Sequence, residues 1–263
     1  MVRLSDLKVV FGAGTANENA ALRGVDLDVA QGTFITVIGS NGAGKSTLLN
    51  VLAGSAPVAS GRVEIDGRDV TAQQAHQRSA LCARVFQDPL TGTCGPLTIE
   101  ENMALADDRG RRRTLLPARP RRRRERFRAL LSSLGLGLES RLGDRMELLS
   151  GGQRQAVSLL MATLQPSKIL LLDEHTAALD PGMADLVMGL TRRIVEEQGL
   201  TALMVTHSMQ QALAYGSRTI MMHRGQVVRD VSGAQREAMT VEDLIDSFSV
   251  ARGRKFDQDS MLL

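Results

Sequence analysis

The sequence predicts an α/β protein with a mixed β-sheet at its core. Two short apolar runs, residues 34–38 and 169–172, have the length and composition of strands that are buried on both faces. Segments with helical periodicity separate the strands, and this alternation is typical of α/β sheets. A glycine-rich loop joins the first apolar run to a predicted helix.

The predicted strands follow from local patterns. Apolar and acidic residues alternate over residues 25–29, which is the period of a half-buried strand. Residues 62–70 contain Asp66-Gly67 as a turn and predict a β-hairpin. Further strands are predicted at residues 203–205, 219–222 and 226–231.

The helices are predicted from apolar residues spaced i, i+3, i+4 and i+7. This spacing occurs in residues 154–164 and in Phe127, Leu130, Leu131 and Leu134. A helix is also predicted at residues 47–53. Asp180-Pro181 predicts another helix start, with Asp as N-cap and Pro in the first helical position, and Gly199 predicts its end.

Charge is distributed unevenly along the chain. The sequence has 32 Lys and Arg against 29 Asp and Glu, but residues 109–128 hold eleven Arg and a single acid, Glu125. The rest is acidic, with 21 basic and 28 acidic residues. We therefore expect no nucleic-acid partner. The basic segment is interpreted as a solvated helix face with a loop, and the alternative is contact with anionic lipid headgroups.

Other residue counts exclude several classes of protein. Cys82 and Cys94 lack the paired spacing of a zinc site and do not indicate a disulfide scaffold. No apolar run approaches the roughly 18 residues of a membrane helix. The chain has no Trp and one Tyr, so an aromatic platform for stacking bases is not expected. A role at a membrane would need a separate membrane-spanning chain.

Residues 39–46 match the phosphate-binding pattern G-x-x-x-x-G-K-[ST]. Glycines let the backbone approach a phosphate chain, and the start of the next helix offers free N–H groups. Lys45 is expected to reach the β- and γ-phosphates and Ser46 to bind Mg²⁺. A chance glycine-rich turn would not explain the position between a strand and a helix. The predicted contacts are Gly39, Asn41, Gly42, Ala43, Gly44, Lys45, Ser46 and Thr47.

Two acids follow the second apolar run. Asp173 emerges at the carboxyl end of the strand, where α/β sheets bind ligands, and suits the Mg²⁺ shell. Glu174 is placed to polarise an attacking water as a general base. On its own the pair would indicate a solvated strand end, but together with the phosphate loop it predicts nucleotide hydrolysis.

A second turn of small residues precedes the helix predicted at residues 154–164. This turn can present a hydroxyl and backbone N–H groups to an anion. The chain therefore carries two phosphate-binding helix starts, more than a hundred residues apart. The residues of the second are Ser150, Gly151, Gly152 and Gln153.

The order of these motifs resembles that of ATP-binding cassette (ABC) ATPases over almost the whole chain. The resemblance implies a P-loop NTPase of the ABC type that hydrolyses ATP with Mg²⁺. It also implies one nucleotide-binding domain over residues 1–263, with a core at 1–87 and 154–263, an antiparallel β subdomain, and a helical subdomain at 88–153. The matching features are the phosphate loop, Gln87, residues 149–153, Asp173, Glu174, Asp180 and His207.

The resemblance assigns roles to further residues. Phe11 matches an aromatic that stacks on adenine, and the alternative is a core phenylalanine on a strand. Gln87 is expected to contact Mg²⁺ and the attacking water rather than being a plain surface glutamine. His207 is expected to contact the γ-phosphate rather than being a structural or surface histidine. Asp180 matches an aspartate of the dimer interface and also suffices as an N-cap. The implied catalytic residues are Lys45, Gln87, Glu174 and His207, and the implied Mg²⁺ ligands are Ser46, Gln87 and Asp173.

One position departs from the family pattern. His175 stands where most relatives have Pro, and histidine cannot fix φ as proline does. We expect intact hydrolysis and a turn that is less rigid or makes a polar contact. Residues 37–42, 173–180 and 204–207 resemble the ATPase subunits of bacterial uptake systems assigned to tryptophan and tyrosine.

The resemblance also implies partners and a location. Two copies are expected to dimerise head to tail, with each ATP between the Lys45 loop of one copy and residues 150–153 of the other. The expected partners are this second ATPase subunit, an integral membrane permease that contacts the surface between residues 87 and 102, and indirectly a periplasmic or lipoprotein solute-binding protein. The expected location is peripheral, at the cytoplasmic face of the bacterial inner membrane.

Import is favoured over export, because residues 143–148 lack the Glu-Arg-Gly pattern of exporters. The solutes would be amino acids or related small molecules. The alternative function is a soluble ABC ATPase that remodels a nucleic-acid or protein complex. Translation-associated members of that class carry two cassettes, and DNA-repair members carry long coiled-coil or zinc insertions. This sequence shows one cassette and neither insertion.

Overall fold

A computed structural model describes residues 1–110 and 120–253 of the chain. Four arginines of the basic segment lie outside the described residues: Arg111, Arg112, Arg113 and Arg119. The chain divides into two compact units, the first comprising Met1–Arg78 and Thr201–Leu263 and the second comprising Ser79–Leu200. The division into a core and a helical subdomain at residues 88–153 stays a prediction.

The helices and strands of the described residues alternate as the sequence predicts. In chain order they are β1 (Val2–Phe11), β2 (Asn19–Val29), β3 (Phe34–Gly39), α1 (Lys45–Ala53), β4 (Ser60–Ile65), β5 (Arg68–Asp69), α2 (Ala75–Arg78), β6 (Cys82–Val85), α3 (Ile99–Asp107), α4 (Pro120–Ser132), α5 (Gly151–Thr163), β7 (Ile169–Asp173), α6 (Pro181–Gln198), β8 (Thr201–Val205), α7 (Met209–Ala214), β9 (Arg218–His223), β10 (Gln226–Ser232), α8 (Gly233–Glu237) and α9 (Val241–Gly253).

The first unit combines antiparallel and parallel strand pairing. Four strands form an antiparallel sheet in the order β2-β1-β4-β5. Strand β3 pairs in parallel with both β8 and β9, and β10 pairs antiparallel with β9. All residues of β3 are buried, as its continuous apolar run predicts. This arrangement confirms the predicted mixed sheet and antiparallel β subdomain.

The second unit contains the parallel pair β6 and β7 together with helices α3 to α6. The pairing register runs from Cys82 opposite Ile169 to Val85 opposite Leu172. Helix α5 packs against β6, α3 and α6. The predicted apolar stripe of α4 is confirmed, because Phe127 is fully buried and the side chains that follow it on the same face pack inward. None of the helices in the described ranges combines the length and apolar character needed to cross a bilayer.

Two helices begin earlier than predicted. Helix α1 starts at Lys45 rather than residue 47, and α5 starts at Gly151 rather than residue 154. The apolar stripe of each helix begins only after its first turn, so periodicity alone misses the small residues that open it. The last residues of both motifs, 45–47 and 151–153, therefore lie in the first helical turns, where backbone N–H groups have no intrahelical partner.

The arginines of α4 form ion pairs with acids of the second unit. Asp107 is 3% exposed and lies at the end of α3. It accepts hydrogen bonds from Arg123 Nε at 3.0 Å, Arg126 Nη1 at 2.8 Å and Gln165 Nε2 at 2.7 Å. Other pairs join Arg123 to Asp108, Arg124 to Glu100 and Arg121 to Glu125. The basic segment is thus in part an internal ion-pair network rather than only a solvated face.

The Asp107 carboxyl stays charged despite its burial. Burial raises its pKa, but the hydrogen bonds from Arg123, Gln165 and Arg126 outweigh burial, so the pKa lies below its usual value. The carboxylate therefore contributes stability above its unfolded-state pKa, and this contribution is lost as the pH falls through the lower folded-state pKa.

We predict that Asp107→Asn lowers the free energy of unfolding by about 2 kcal/mol at pH 7, because two arginines lose a buried charged acceptor. The difference from the parent should shrink as the pH falls below about 4. Urea unfolding at both pH values measures it. Asp108→Asn is the matched control, because this neighbouring acid is exposed and should cost at most about 1 kcal/mol. Equal losses in the two variants would contradict the central role of Asp107.

Candidate active site

The phosphate loop of the first unit presents the bare start of a helix. Helix α1 is preceded by Gly44, which is left-handed at φ 97° and has no side chain to cap the first N–H groups. The first turn contains no acid. Lys45 is buried, and its Nζ donates to the carbonyl oxygens of Gly39 at 2.8 Å and Ser40 at 3.2 Å. The ammonium group and the helix dipole therefore put positive charge at the loop, which favours a phosphate chain.

Backbone crowding explains the glycines at the two ends of this loop. A Cβ atom at Gly39 would overlap the carbonyl oxygen of Met222 on β9. A Cβ atom at Gly44 would lie 2.7 Å from the carbonyl oxygen of Ala21 on β2. Neither neighbour is a flexible side chain, so the loop can keep its path only without side chains at these positions.

Two more predicted residues belong to the first unit. Phe11 is 39% exposed at the end of β1, which favours an accessible ring over the alternative of a core phenylalanine. His207 is exposed and lies two residues after the end of β8. Hydrogen bonds of Thr206 stabilise the turn between β8 and α7. Its Oγ1 donates to Gln211 Oε1 at 2.9 Å and accepts from the N–H of Ser208. The Phe11 ring is thus accessible to solvent at the end of β1.

The remaining predicted site residues lie in the second unit. Asp173 ends β7 and accepts a hydrogen bond from Arg84 Nη2 at 2.6 Å, with both side chains 13% exposed. The Arg84 guanidinium also lies 4.6 Å from the centre of the Phe86 ring. Sequence reasoning missed Arg84. The only local signal is its position on β6, and the contact depends on the pairing of β6 with a strand 89 residues away.

The turn after β7 has a strained backbone and a buried histidine. Glu174 has φ of 46°, a left-handed conformation that is uncommon outside glycine. His175 is buried, and its Nε2 lies 3.0 Å from Thr191 Oγ1. Burial lowers the pKa of His175 to about 4, so the ring is neutral near pH 7. This pair is the polar contact expected at the position that most relatives fill with proline.

The second small-residue turn is a capping box at the start of α5. Ser150 Oγ accepts from the N–H of Gln153 at 3.2 Å, and Gln153 Oε1 accepts from the N–H of Ser150 at 3.2 Å. Gly152 packs against the side chain of Met183, whose own N–H is capped by Asp180 Oδ1 at 3.1 Å. The predicted N-cap role of Asp180 is therefore confirmed. The start of α5 and the start of α6 lie side by side.

Helix α5 also contacts the segment that leads to Gln87. The buried Gln155 donates from Nε2 to the carbonyl oxygen of Phe86 at 3.0 Å. Gln87 itself is exposed. Gln155 was not among the predicted residues, because a polar side chain on the buried face of a helix gives no sequence signal of its partner.

The side chains present fit ATP and Mg²⁺. The bare start of α1 and the buried ammonium group of Lys45 suit a polyphosphate. The Ser46 hydroxyl, the Gln87 amide and the Asp173 carboxylate supply the oxygen ligands that Mg²⁺ prefers. Ser46 and Gln87 are exposed and Asp173 is half-buried, so solvent reaches each of these groups.

The chain belongs to the ABC transporter family, whose model matches residues 22–177. It is therefore an ATP-binding cassette ATPase. It is 41% identical over 251 residues to a tyrosine transport ATP-binding protein of Clostridioides difficile, covering 95% of this chain and 100% of that protein. It is 35% identical over 202 residues to a thiamine import ATP-binding protein of Vibrio vulnificus, covering 77% of this chain and 81% of that protein.

The fold matches solved cassette structures. A dimeric ATP-binding cassette in a post-hydrolysis state, bound to ADP and phosphate, superposes with a TM-score of 0.77. The sequence identity is 29%, and the match covers 88% of this chain and 98% of that one. The predicted fold class, a P-loop NTPase of the ABC type, is confirmed.

We predict that Gly39→Ala abolishes measurable ATP binding or lowers the affinity at least tenfold, because the new methyl group must displace the backbone of β9 or of the loop. Equilibrium binding of ATP, with circular dichroism to check folding, measures the effect. Gly189→Ala is the control: this glycine is exposed on α6 with open space around it, and alanine there should stabilise the helix by up to about 1 kcal/mol. Normal ATP affinity in Gly39→Ala would contradict the crowding argument.

Proposed function

We propose that this chain is the ATP-hydrolysing subunit of a bacterial importer that drives a separate membrane permease. The observation that carries the proposal is the 41% identity to a tyrosine transport ATP-binding protein along that protein's full length. The identity with a thiamine import subunit supports import as the direction. The proposed solutes are amino acids, tyrosine first among them, or related small molecules.

The proposed chemistry assigns a role to each residue of the sequence motifs. Lys45 and the first turn of α1 hold the phosphates, Phe11 stacks on adenine, and His207 contacts the γ-phosphate. Ser46, Gln87 and Asp173 would hold Mg²⁺, which when bound would supply positive charge to offset the charge of the transferred phosphate. Glu174 accepts a proton from the attacking water, and Gln87 orients that water. Arg84 keeps the Asp173 carboxylate in place by its hydrogen bond.

The proposal includes a head-to-tail dimer of two copies. The Ser150 oxygen accepts the helix-capping bond from Gln153, and its own hydroxyl hydrogen can still donate to a further acceptor. We assign that acceptor to the γ-phosphate of the ATP held by the partner. Asp180 begins α6 beside the same turn and contacts the partner as well. The match to a dimeric cassette structure supports this arrangement.

The partners and location follow from transport. An integral permease docks on the surface between residues 87 and 102, and a solute-binding protein acts through that permease. The subunit is then peripheral at the cytoplasmic face of the inner membrane. The alternative is a soluble ATPase that remodels a nucleic-acid or protein complex. It is less favoured because the two similar proteins named above are ATP-binding proteins of transport systems.

Two measurements test transport. Replacing the chromosomal copy by a Glu174→Gln variant should abolish uptake of labelled tyrosine and leave glucose uptake unchanged. The tagged chain, purified from solubilised membranes, should carry an integral permease in a 2:2 ratio. Unchanged uptake of tyrosine and other amino acids, together with copurifying nucleic acid or ribosomes, would favour the alternative.

We predict that Glu174→Gln reduces the turnover of the purified chain at least a hundredfold, because the amide cannot accept a proton. ATP affinity should stay within about threefold of the parent, and ATP should shift the variant to a dimer in size-exclusion chromatography. Glu196→Gln, an exposed acid on α6, is the control and should behave like the parent. Normal turnover in Glu174→Gln would refute the general-base role.

We predict that Ser150→Ala and Ser150→Asp both reduce hydrolysis at least tenfold while ATP binding to the monomer stays intact. Alanine removes the helix cap and should lower the free energy of unfolding by about 1 kcal/mol. Aspartate keeps the cap, but its negative charge repels phosphate. Thr240→Ala is the matched control, since Thr240 forms the same kind of capping box with Asp243. Hydrolysis that fell in Ser150→Ala but not in Ser150→Asp would show a purely structural role for the serine.

A further inference from the structure

A buried histidine–threonine pair connects the turn after β7 to the middle of α6. His175 Nε2 lies 3.0 Å from Thr191 Oγ1, and the two residues are 2% and 0% exposed. Thr191 Oγ1 in turn donates to the carbonyl oxygen of Val187 at 2.8 Å. The contact spans 16 residues of sequence and joins the residue after Glu174 to the third turn of the helix that Asp180 begins.

The direction of this hydrogen bond follows from its chemistry. A hydroxyl group has one hydrogen, and Thr191 uses its hydrogen at Val187, so Thr191 can only accept from the histidine. His175 is therefore the neutral tautomer that carries its hydrogen on Nε2. Because both side chains are buried, water cannot replace Thr191 as the acceptor for Nε2–H. The hydrogen bond therefore fixes the position of the His175 ring relative to α6.

The backbone at Glu174 needs an external constraint. Its left-handed φ of 46° is costly for a residue with a side chain and persists only where the surroundings enforce it. The turn supplies two backbone hydrogen bonds, from the N–H of Ala177 to the carbonyl of Glu174 at 3.0 Å and from the N–H of Leu179 to the carbonyl of Thr176 at 3.2 Å. His175 adds the link between this turn and the helix behind it.

Proline would constrain the same position in another way. A proline ring fixes its own φ and restricts the residue that precedes it. Histidine imposes neither restriction covalently, so its constraint comes from the hydrogen bond to Thr191. The pair thus replaces a local covalent constraint by a tertiary one.

We propose that His175 is a positioning residue for Glu174, which it holds in its strained conformation by anchoring the turn to Thr191. This inference rests on the proposed general-base role of Glu174. Because the anchor lies on α6, it also ties the Glu174 turn to the helix that starts at Asp180. Loss of the anchor misplaces the Glu174 carboxylate and slows the chemical step, while the phosphate loop keeps its affinity for ATP.

Two pairs of variants of the full-length chain test the proposal through kcat, KM and ATP affinity. Thr191→Val removes the acceptor at constant shape and should lower kcat about tenfold with KM and ATP affinity within twofold of the parent. Thr191→Ser keeps the hydroxyl and should retain kcat. At position 175, His175→Gln places an amide N–H where Nε2 stood and should retain kcat within about threefold. His175→Asn is too short to reach Thr191 and should lose about tenfold.

The combined variant His175→Asn/Thr191→Val should lose no more kcat than His175→Asn alone, because both changes remove the same bond. Parent-like kcat in Thr191→Val and His175→Asn would overturn the proposal, and so would a parallel loss of kcat and ATP affinity. Failure of the general-base role would give a different result, because the Glu174→Gln variant would then hydrolyse ATP at the parent rate. An inactive Glu174→Gln with a parent-like Thr191→Val would overturn the positioning role alone.

Discussion

The arrangement of the first unit depends on backbone packed directly against backbone around the phosphate loop. Gly39 lies against the carbonyl of Met222, and Gly44 lies against the carbonyl of Ala21. Gly225, in the turn between β9 and β10, approaches the same Ala21 carbonyl and donates its N–H to the carbonyl of Ala43. Three glycines thus let β2 and the β9–β10 hairpin pack against the phosphate loop, and this packing fixes the position of the start of α1, where phosphates are expected to bind.

In the second unit, buried and half-buried acids are held by arginines of other helices and strands. Asp107 stays ionised inside the second unit because two arginines of α4 reach it. Asp173 is similarly joined to Arg84. Within the described part of residues 109–128, Arg123 and Arg126 therefore have a structural role: they join α4 to Asp107 of α3.

The sequence predicted most elements and motifs because their signals are local. Alternating residues marked β2, a continuous apolar run marked β3, and Asp180-Pro181 with Gly199 marked the ends of α6. Contacts between distant segments carried no such signal. Arg84 with Asp173, Gln155 with the Phe86 carbonyl, and His175 with Thr191 each require the fold to bring the partners together. The starts of α1 and α5 were placed late because glycine and serine in a first turn add nothing to an apolar stripe.

The uncapped start of α1 also has a consequence for the stability of the fold. The first N–H groups of this helix have no side-chain cap and can donate to the oxygens of a ligand. A ligand that binds only the folded state raises the free energy of unfolding by RT ln(1 + [L]/Kd). At a nucleotide concentration a hundred times the dissociation constant, the gain is about 2.7 kcal/mol. Nucleotide in solution therefore stabilises the folded chain and reduces the fraction that is unfolded and open to proteolysis.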